Sequence, residues 1–129
     1  MIVKYNPEDG EAKVFDYNPN KLLSVEREAL ERRTGLNFKA FADGVLQGNS
    51  VCRRALLHVM IKREHPTISY EDVDFRWDEL TVEMTKGEIE LAVERLREKK
   101  GDDALIEGFL KQLPDAPDDE GKARLPFVA

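Results

Sequence analysis

The sequence is short of cysteine and histidine, two side chains that many catalytic and metal sites use. It has one cysteine, Cys52, and two histidines, His58 and His65, among 129 residues. One thiol cannot form an intramolecular disulfide, which favours a reducing compartment. The histidines lie seven positions apart without a His-Glu-x-x-His or Cys-x-x-Cys pattern, so they do not form a zinc motif. We therefore expect no metal centre and no bound cofactor.

A catalytic pair is also missing from the pattern. Cys52 and His58 fall on one predicted helix, about 240° apart around its axis, so their side chains point away from each other. Cys52 belongs to an apolar stripe, which is typical of a buried structural thiol. The sequence has no glycine-rich phosphate loop and no serine in a nucleophile-elbow pattern. We expect that the protein is not an enzyme.

An excess of positive charge and long apolar runs are missing as well. The net charge is −6, which suits phosphate binding poorly, so we expect no nucleic-acid binding. Basic side chains within residues 53–63 keep a helix-turn-helix DNA-binding protein as an alternative, although Leu57 and Ile61 interrupt them. No stretch approaches the roughly 20 apolar residues of a membrane span. Residues 1–5 also lack the basic start of a signal peptide, so we expect no membrane association and a cytoplasmic location.

The apolar periodicity that is present predicts a mainly α-helical protein. Two short β-type runs flank the turn-forming residues 6–10, which predicts an N-terminal β-hairpin. Residues 74–84 can be read as strand or helix, and the alternation of Leu80, Val82 and Met84 favours a strand. Apolar spacing and capping residues then predict about four to five helices, near residues 24–33, 38–47, 50–65, 86–100 and 103–113. Gly35 and Gly48 mark the expected ends of the first two helices. The expected helix starts are Ser24, Asn37, Asn49 or Ser50, and Thr85, which forms a capping box with Glu88.

The composition changes at residue 114, where prolines and acidic residues become frequent. We therefore predict one compact helical domain with its N-terminal hairpin over residues 1–113. Residues 114–129 are predicted to be a flexible, Pro/Asp-rich tail.

The third predicted helix has apolar residues on two sides. One side is a full stripe from Cys52 to Met60, and the other carries Leu57 and Ile61. Either the helix is central to the core or its second side meets another chain. For Trp77, the single tryptophan, a core position is the main expectation and a partner anchor is the alternative. We predict four residues as partner contacts, namely Arg54, Leu57, Ile61 and Trp77.

Three segments resemble the small tail assembly chaperones of long-tailed, siphovirus-type phages of actinobacteria. The first is Glu-Arg-Glu-Ala-Leu-Glu-Arg-Arg-Thr-Gly at residues 26–35, and the second is the short helix and glycine-rich break at residues 38–49. The third is the apolar helix at residues 54–63, which leads into His-Pro-Thr-Ile-Ser-Tyr-Glu-Asp-Val-Asp-Phe at residues 65–75. The resemblance covers about residues 20–100, and the N-terminal hairpin lies outside it.

This resemblance implies a mainly α-helical, non-enzymatic protein of the host cell cytoplasm. Such chaperones are thought to coat the long tape measure protein and to recruit tail tube subunits until the tube polymerises. The implied partners are therefore the tape measure protein, the tail tube protein and further copies of the chain itself. A head–tail connector or another phage structural binding protein is a further alternative.

Overall fold

A computed structural model of the chain describes residues 1–119. These residues contain five α-helices and three β-strands, which confirms a mainly α-helical fold with an N-terminal hairpin. The strands are β1 (Ile2–Tyr5), β2 (Lys13–Asp16) and β3 (Leu80–Glu83), and the helices are α1 (Ser24–Thr34), α2 (Phe38–Gln47), α3 (Ser50–Glu64), α4 (Lys86–Glu98) and α5 (Asp103–Gln112).

The three strands form one antiparallel sheet in the order β2-β1-β3. The predicted hairpin corresponds to β1 and β2. The region that the sequence left open, residues 74–84, contains a 3₁₀ turn at Trp77–Glu79 followed directly by β3. The alternation of Leu80, Val82 and Met84 therefore indicated the correct structure for this part of the chain.

The chain divides into two compact units. One contains residues 4–82, and the other combines residues 1–3 with residues 83–119 of the described chain. The prediction of one domain over residues 1–113 stays a prediction.

In the unit of residues 4–82, α1, α2 and α3 pack against one another. The side chain of Asn37 accepts a hydrogen bond from the Ala40 amide at 2.8 Å, and Asn49 accepts one from the Cys52 amide at 3.0 Å. Such N-caps satisfy amides that a helix start leaves without partners. Ser24 was expected to cap α1 but is its first helical residue, and the cap position is Leu23.

The core of this unit follows the predicted stripe of α3. All five stripe residues are at most 8% exposed: Cys52, Ala55, Leu56, Val59 and Met60. The approach of α2 to α3 is close at Gly44, where an added Cβ would lie 2.6 Å from the Cys52 sulfur. A glycine is therefore needed for packing at this position of α2. The burial of Cys52 raises the pKa of its thiol, as expected for a structural cysteine.

In the second unit, α4 and α5 enclose a small apolar core of Ile89, Val93 and Ile106. Thr85 caps α4 by accepting a hydrogen bond from the Glu88 amide, and Glu88 in turn accepts one from the Thr85 amide, which confirms the predicted capping box.

The first part of the predicted tail contacts α4. Ala116 packs on the apolar core of this unit, and the carbonyl of Pro117 accepts a hydrogen bond from the Lys86 amide at 2.9 Å. The carboxylate of Asp119 accepts hydrogen bonds from the Thr85 hydroxyl at 2.5 Å and the Gly87 amide at 3.1 Å. The prediction began a flexible tail at Pro114, whereas the structure shows side-chain and backbone contacts as far as Asp119. The rest of the predicted tail, residues 120–129, lies outside the described residues.

Candidate interaction surfaces

The second apolar side of α3 does not present Leu57 to solvent. Leu57 is 1% exposed, Ile61 is half-buried, and Val73 on the following segment is 3% exposed. The side chain of Leu57 is therefore covered by its own chain. That Leu57 contacts a partner stays a prediction. The sequence left open whether α3 is central to the core or meets another chain. The burial of Leu57 agrees with the first alternative.

Arg54, also predicted as a partner contact, holds the covering segment in place. Its Nε donates a hydrogen bond to the carbonyl of Val73 at 2.5 Å, and Nη2 donates to the carbonyl of Tyr70 at 3.2 Å. Its guanidinium carbon also lies 4.3 Å from the centre of the Tyr70 ring. One turn along α3, Nε2 of His58 lies 3.1 Å from the carbonyl oxygen of Ile68. Arg54 and His58 therefore hold residues 68–73 against α3, and Nε and Nη2 of Arg54 are engaged in these hydrogen bonds.

Trp77 is 49% exposed, so the main expectation of a core position is wrong. The ring lies against Phe75, with ring centres 6.3 Å apart and planes 23° apart, and the guanidinium carbon of Arg53 lies 5.1 Å from its centre. Arg53 is itself anchored, since its Nε donates to the carbonyl of Val45 at 2.9 Å. The tryptophan thus contacts both an aromatic ring and a cation while about half of it faces solvent.

Other exposed apolar side chains occur at the corner between α2 and α3, where Trp77 lies. The Cζ2 atom of Trp77 is 3.5 Å from the position of a Cβ on Gly48, the residue that ends α2 with φ of +83°. On either side of this glycine in the chain, Leu46 is 40% exposed and Val51 is 48% exposed. We call Leu46, Gly48, Val51 and Trp77 the Trp77 surface. Only Trp77 among its members was predicted as a partner contact.

A second surface is a groove between α1 and α3, with a volume of about 440 Å³. Its apolar side chains come from both helices, with Val25 and Ala29 exposed on α1 and Ala55 and Val59 buried on α3. Polar side chains also line it, namely Glu26, Arg32, Arg33, His58, Lys62 and Arg63.

Most charges around the groove are positive. Glu26 accepts two hydrogen bonds of 2.9 Å from the guanidinium of Arg63, and these bonds hold the pKa of the Glu26 carboxyl below its ordinary value. Arg33 lies 4.0 Å from the centre of the Tyr70 ring. Arg32 and Lys62 form no ion pair with another residue of the part of the chain that the structure describes.

Sequence reasoning did not predict the groove, although its signals are visible in the sequence. Val25 and Ala29 lie on one side of α1 at i and i+4, and cations follow one turn later. A groove needs two helices, however, and the angle and distance between α1 and α3 cannot be read from either helix alone.

Among residues 1–119, no group of three or more His, Cys, Asp or Glu side chains is placed to hold a metal ion. None of the helices in that range is long and apolar enough to cross a membrane. No protein-family model, curated protein or solved structure matches this chain.

Proposed function

We propose that this protein is a non-enzymatic binding protein, specifically a tail assembly chaperone of a long-tailed phage. In this role it binds the tape measure protein, associates with further copies of itself and recruits tail tube subunits in the host cytoplasm. The specific role rests on the resemblance at residues 26–75. The observation that carries the binding function is the half-exposed Trp77, which contacts Phe75 and Arg53, together with the exposed apolar residues near it.

The physical reason lies in the cost of leaving this ring in water. A tryptophan buries up to about 250 Å² when it is fully covered, so covering the exposed half is worth about 2–3 kcal/mol before the costs of association. Phe75 and Arg53 already restrain the ring. A partner therefore loses little of this gain to side-chain ordering, which is the general advantage of a preorganised contact.

The surroundings of Trp77 also resemble an interface hot spot. Tryptophan and arginine are enriched among residues that dominate binding energy, and they act best when apolar neighbours exclude water around them. Leu46 and Val51 offer such neighbours at the α2–α3 corner. A tape measure protein, being long and helical, presents apolar helix faces that suit this kind of surface.

The alternative of a DNA-binding regulator has less support. Its basic helix is α3, but Arg53 donates to the carbonyl of Val45 and Arg54 donates to the carbonyls of Tyr70 and Val73. Reading base edges requires guanidinium donors that are free to reach the major groove.

The test uses Trp77 as its own reporter, because the chain has a single tryptophan. The protein is titrated with the tape measure and tail tube proteins encoded by neighbouring genes, and tryptophan-free fragments of these partners keep the signal specific. Binding at the Trp77 surface should shift the emission to shorter wavelength, because water is removed from the ring.

A pair of variants distinguishes binding at this surface from non-specific binding through exposed apolar side chains. Trp77→Ala should weaken partner binding in calorimetry by about tenfold or more, a loss of at least about 1.4 kcal/mol. Val14→Ala removes another side chain that is 66% exposed, on β2, and should leave binding unchanged. An unchanged emission spectrum together with equal affinity of Trp77→Ala and the unaltered protein would contradict the proposal.

A further inference from the structure

The groove between α1 and α3 has the shape of a site for a third helix. Val25, Ala29 and Arg32 lie at i, i+4 and i+7 on the α1 wall, so about two turns of helix border it. Ala29 and Ala55 have short side chains, which allows the ridge of another helix to come close, as in ridges-into-grooves packing. Val25 is 67% exposed, so apolar surface remains uncovered here.

The charges around the groove indicate which kind of helix it would bind. Arg32 on α1 and Lys62 on α3 have no ion-pair partner among residues 1–119. The one carboxylate, Glu26, is already neutralised by Arg63. The groove is thus cationic in a chain whose net charge is −6, so this local sign is not a consequence of the overall composition.

We propose that this groove binds an amphipathic helix of a partner protein that places apolar side chains between α1 and α3 and acidic side chains against Arg32 and Lys62. Acidic flanks satisfy the two cations, and the apolar face covers Val25 and Ala29. A nucleic acid fits less well, because the apolar side chains of the groove offer no hydrogen-bond partners to its bases.

This site is separate from the Trp77 surface. Ala55 faces the groove, whereas Arg53, which contacts Trp77, lies about 200° away around α3. A helix in the groove therefore leaves the tryptophan uncovered. The groove can bind its helix whether or not the Trp77 surface has a partner, and failure of one proposal does not decide the other.

The experiment uses two labelled synthetic helices of about 18 residues, or five turns. Both carry alanine and leucine at i, i+3, i+4 and i+7, and they differ only in having glutamate or lysine at the flanking positions. Fluorescence anisotropy with the full chain should give a dissociation constant at least about tenfold lower for the glutamate helix. The difference should shrink as salt is raised, because exposed charge pairs are screened. The emission of Trp77 should stay unchanged.

Reversing the charges of Arg32 and Lys62 tests whether these two side chains select the acidic helix. The double variant Arg32→Glu/Lys62→Glu should lose the preference for the glutamate helix and bind the lysine helix more tightly instead. Lys21→Glu/Lys39→Glu changes the net charge equally at exposed positions outside the groove and should keep the original preference. Ala29→Phe, at an exposed position of the α1 wall, should block both helices by filling the groove.

Several results would overturn the proposal. One is equal affinity for the two helices. Another is an Arg32→Glu/Lys62→Glu variant that still prefers the glutamate helix. A third is a chain that binds neither peptide but self-associates, with self-association lost only in Arg32→Glu/Lys62→Glu. That result would assign the groove to contacts between copies of the chain.

Discussion

The close approach of α2 and α3 at Gly44 allows a sharp test of the packing that supports the Trp77 surface. An alanine at this position would place its Cβ 2.6 Å from the Cys52 sulfur, and 3.4 Å from the Cβ of Cys52. The first separation is about 1 Å shorter than the distance at which non-bonded heavy atoms attract each other. Gly44→Ala must therefore push α2 and α3 apart or force the Cys52 side chain out of its position.

The expected magnitude is the difference between two opposing effects. Overpacking in a core costs about 1–3 kcal/mol, and the overlap with the sulfur places Gly44→Ala in the upper part of this range. Replacing a mid-helix glycine by alanine favours the helix by about 1 kcal/mol. The free energy of unfolding should therefore fall by about 1–2 kcal/mol.

Removal of the sulfur should reverse the effect. Cys52→Ala alone should cost about 1–2 kcal/mol, because it leaves a small cavity where the sulfur was. In the double variant Gly44→Ala/Cys52→Ala the new methyl group fills that cavity. Its stability should lie within about 0.5 kcal/mol of the unaltered protein. With single losses of about 1.5 kcal/mol each, this gives a coupling energy of about 3 kcal/mol, at the upper end of the range for residues in contact.

Urea unfolding followed by circular dichroism and by Trp77 fluorescence measures these values. Trp77 lies in the unit of residues 4–82 together with both substituted positions, so its emission reports on the same unit. Gly108→Ala is the matched control, since this α5 glycine has nothing within 4 Å of an added Cβ and should gain stability. The close packing of α2 on α3 at Gly44 is refuted if Gly44→Ala is as stable as the unaltered protein. It is also refuted if the effects of Gly44→Ala and Cys52→Ala on the free energy of unfolding are additive.

Other substitutions test the remaining contacts. Leu57→Ala should cost about 2–5 kcal/mol in urea unfolding, because the side chain is 1% exposed. Arg54→Lys should cost about 1–3 kcal/mol in the same assay, since an ammonium cannot reproduce the two guanidinium hydrogen bonds. The pKa of Glu26 lies below its ordinary 4.5 because Arg63 hydrogen-bonds its carboxylate. The resulting stabilisation is present above pH 4.5 and is lost as the pH falls through the lower folded-state pKa, so Glu26→Gln should remove this part of the acid-induced loss in a pH series. Asp119→Ala should cost about 0.5–2 kcal/mol locally, seen as faster hydrogen exchange of amides in the first turn of α4.

The starts and ends of the helices were predictable because their causes are local. Asn37 and Asn49 cap their helices through hydrogen bonds to amides three residues later, and Gly35 and Gly48 end helices with positive φ. These interactions depend on a few neighbouring residues, so a single sequence contains them. Ser24 was misplaced by one position because Glu26 accepts a hydrogen bond from the Leu23 amide at the start of α1.

The partner residues were much harder to predict. Leu57 and Trp77 are both large and apolar, and no local pattern says which of them the chain covers. Arg54 looked like a surface cation, yet the carbonyls that it binds lie 16 and 19 positions further along the chain. Such contacts form only when residues 68–73 fold back on α3.

The scarcity of cysteine and histidine belongs to the composition and needed no structure. The amino-acid sequence also specified the helices, the hairpin and the core stripe of α3, because apolar spacing and capping act within one or two turns. The tertiary structure decided which apolar and basic groups face solvent. It covered Leu57, engaged Arg54, left Trp77 half exposed and placed α1 beside α3 to form the groove. The exposure of a side chain depends on which segments pack over it. Those segments are often distant in the sequence, so no local pattern reveals the exposure.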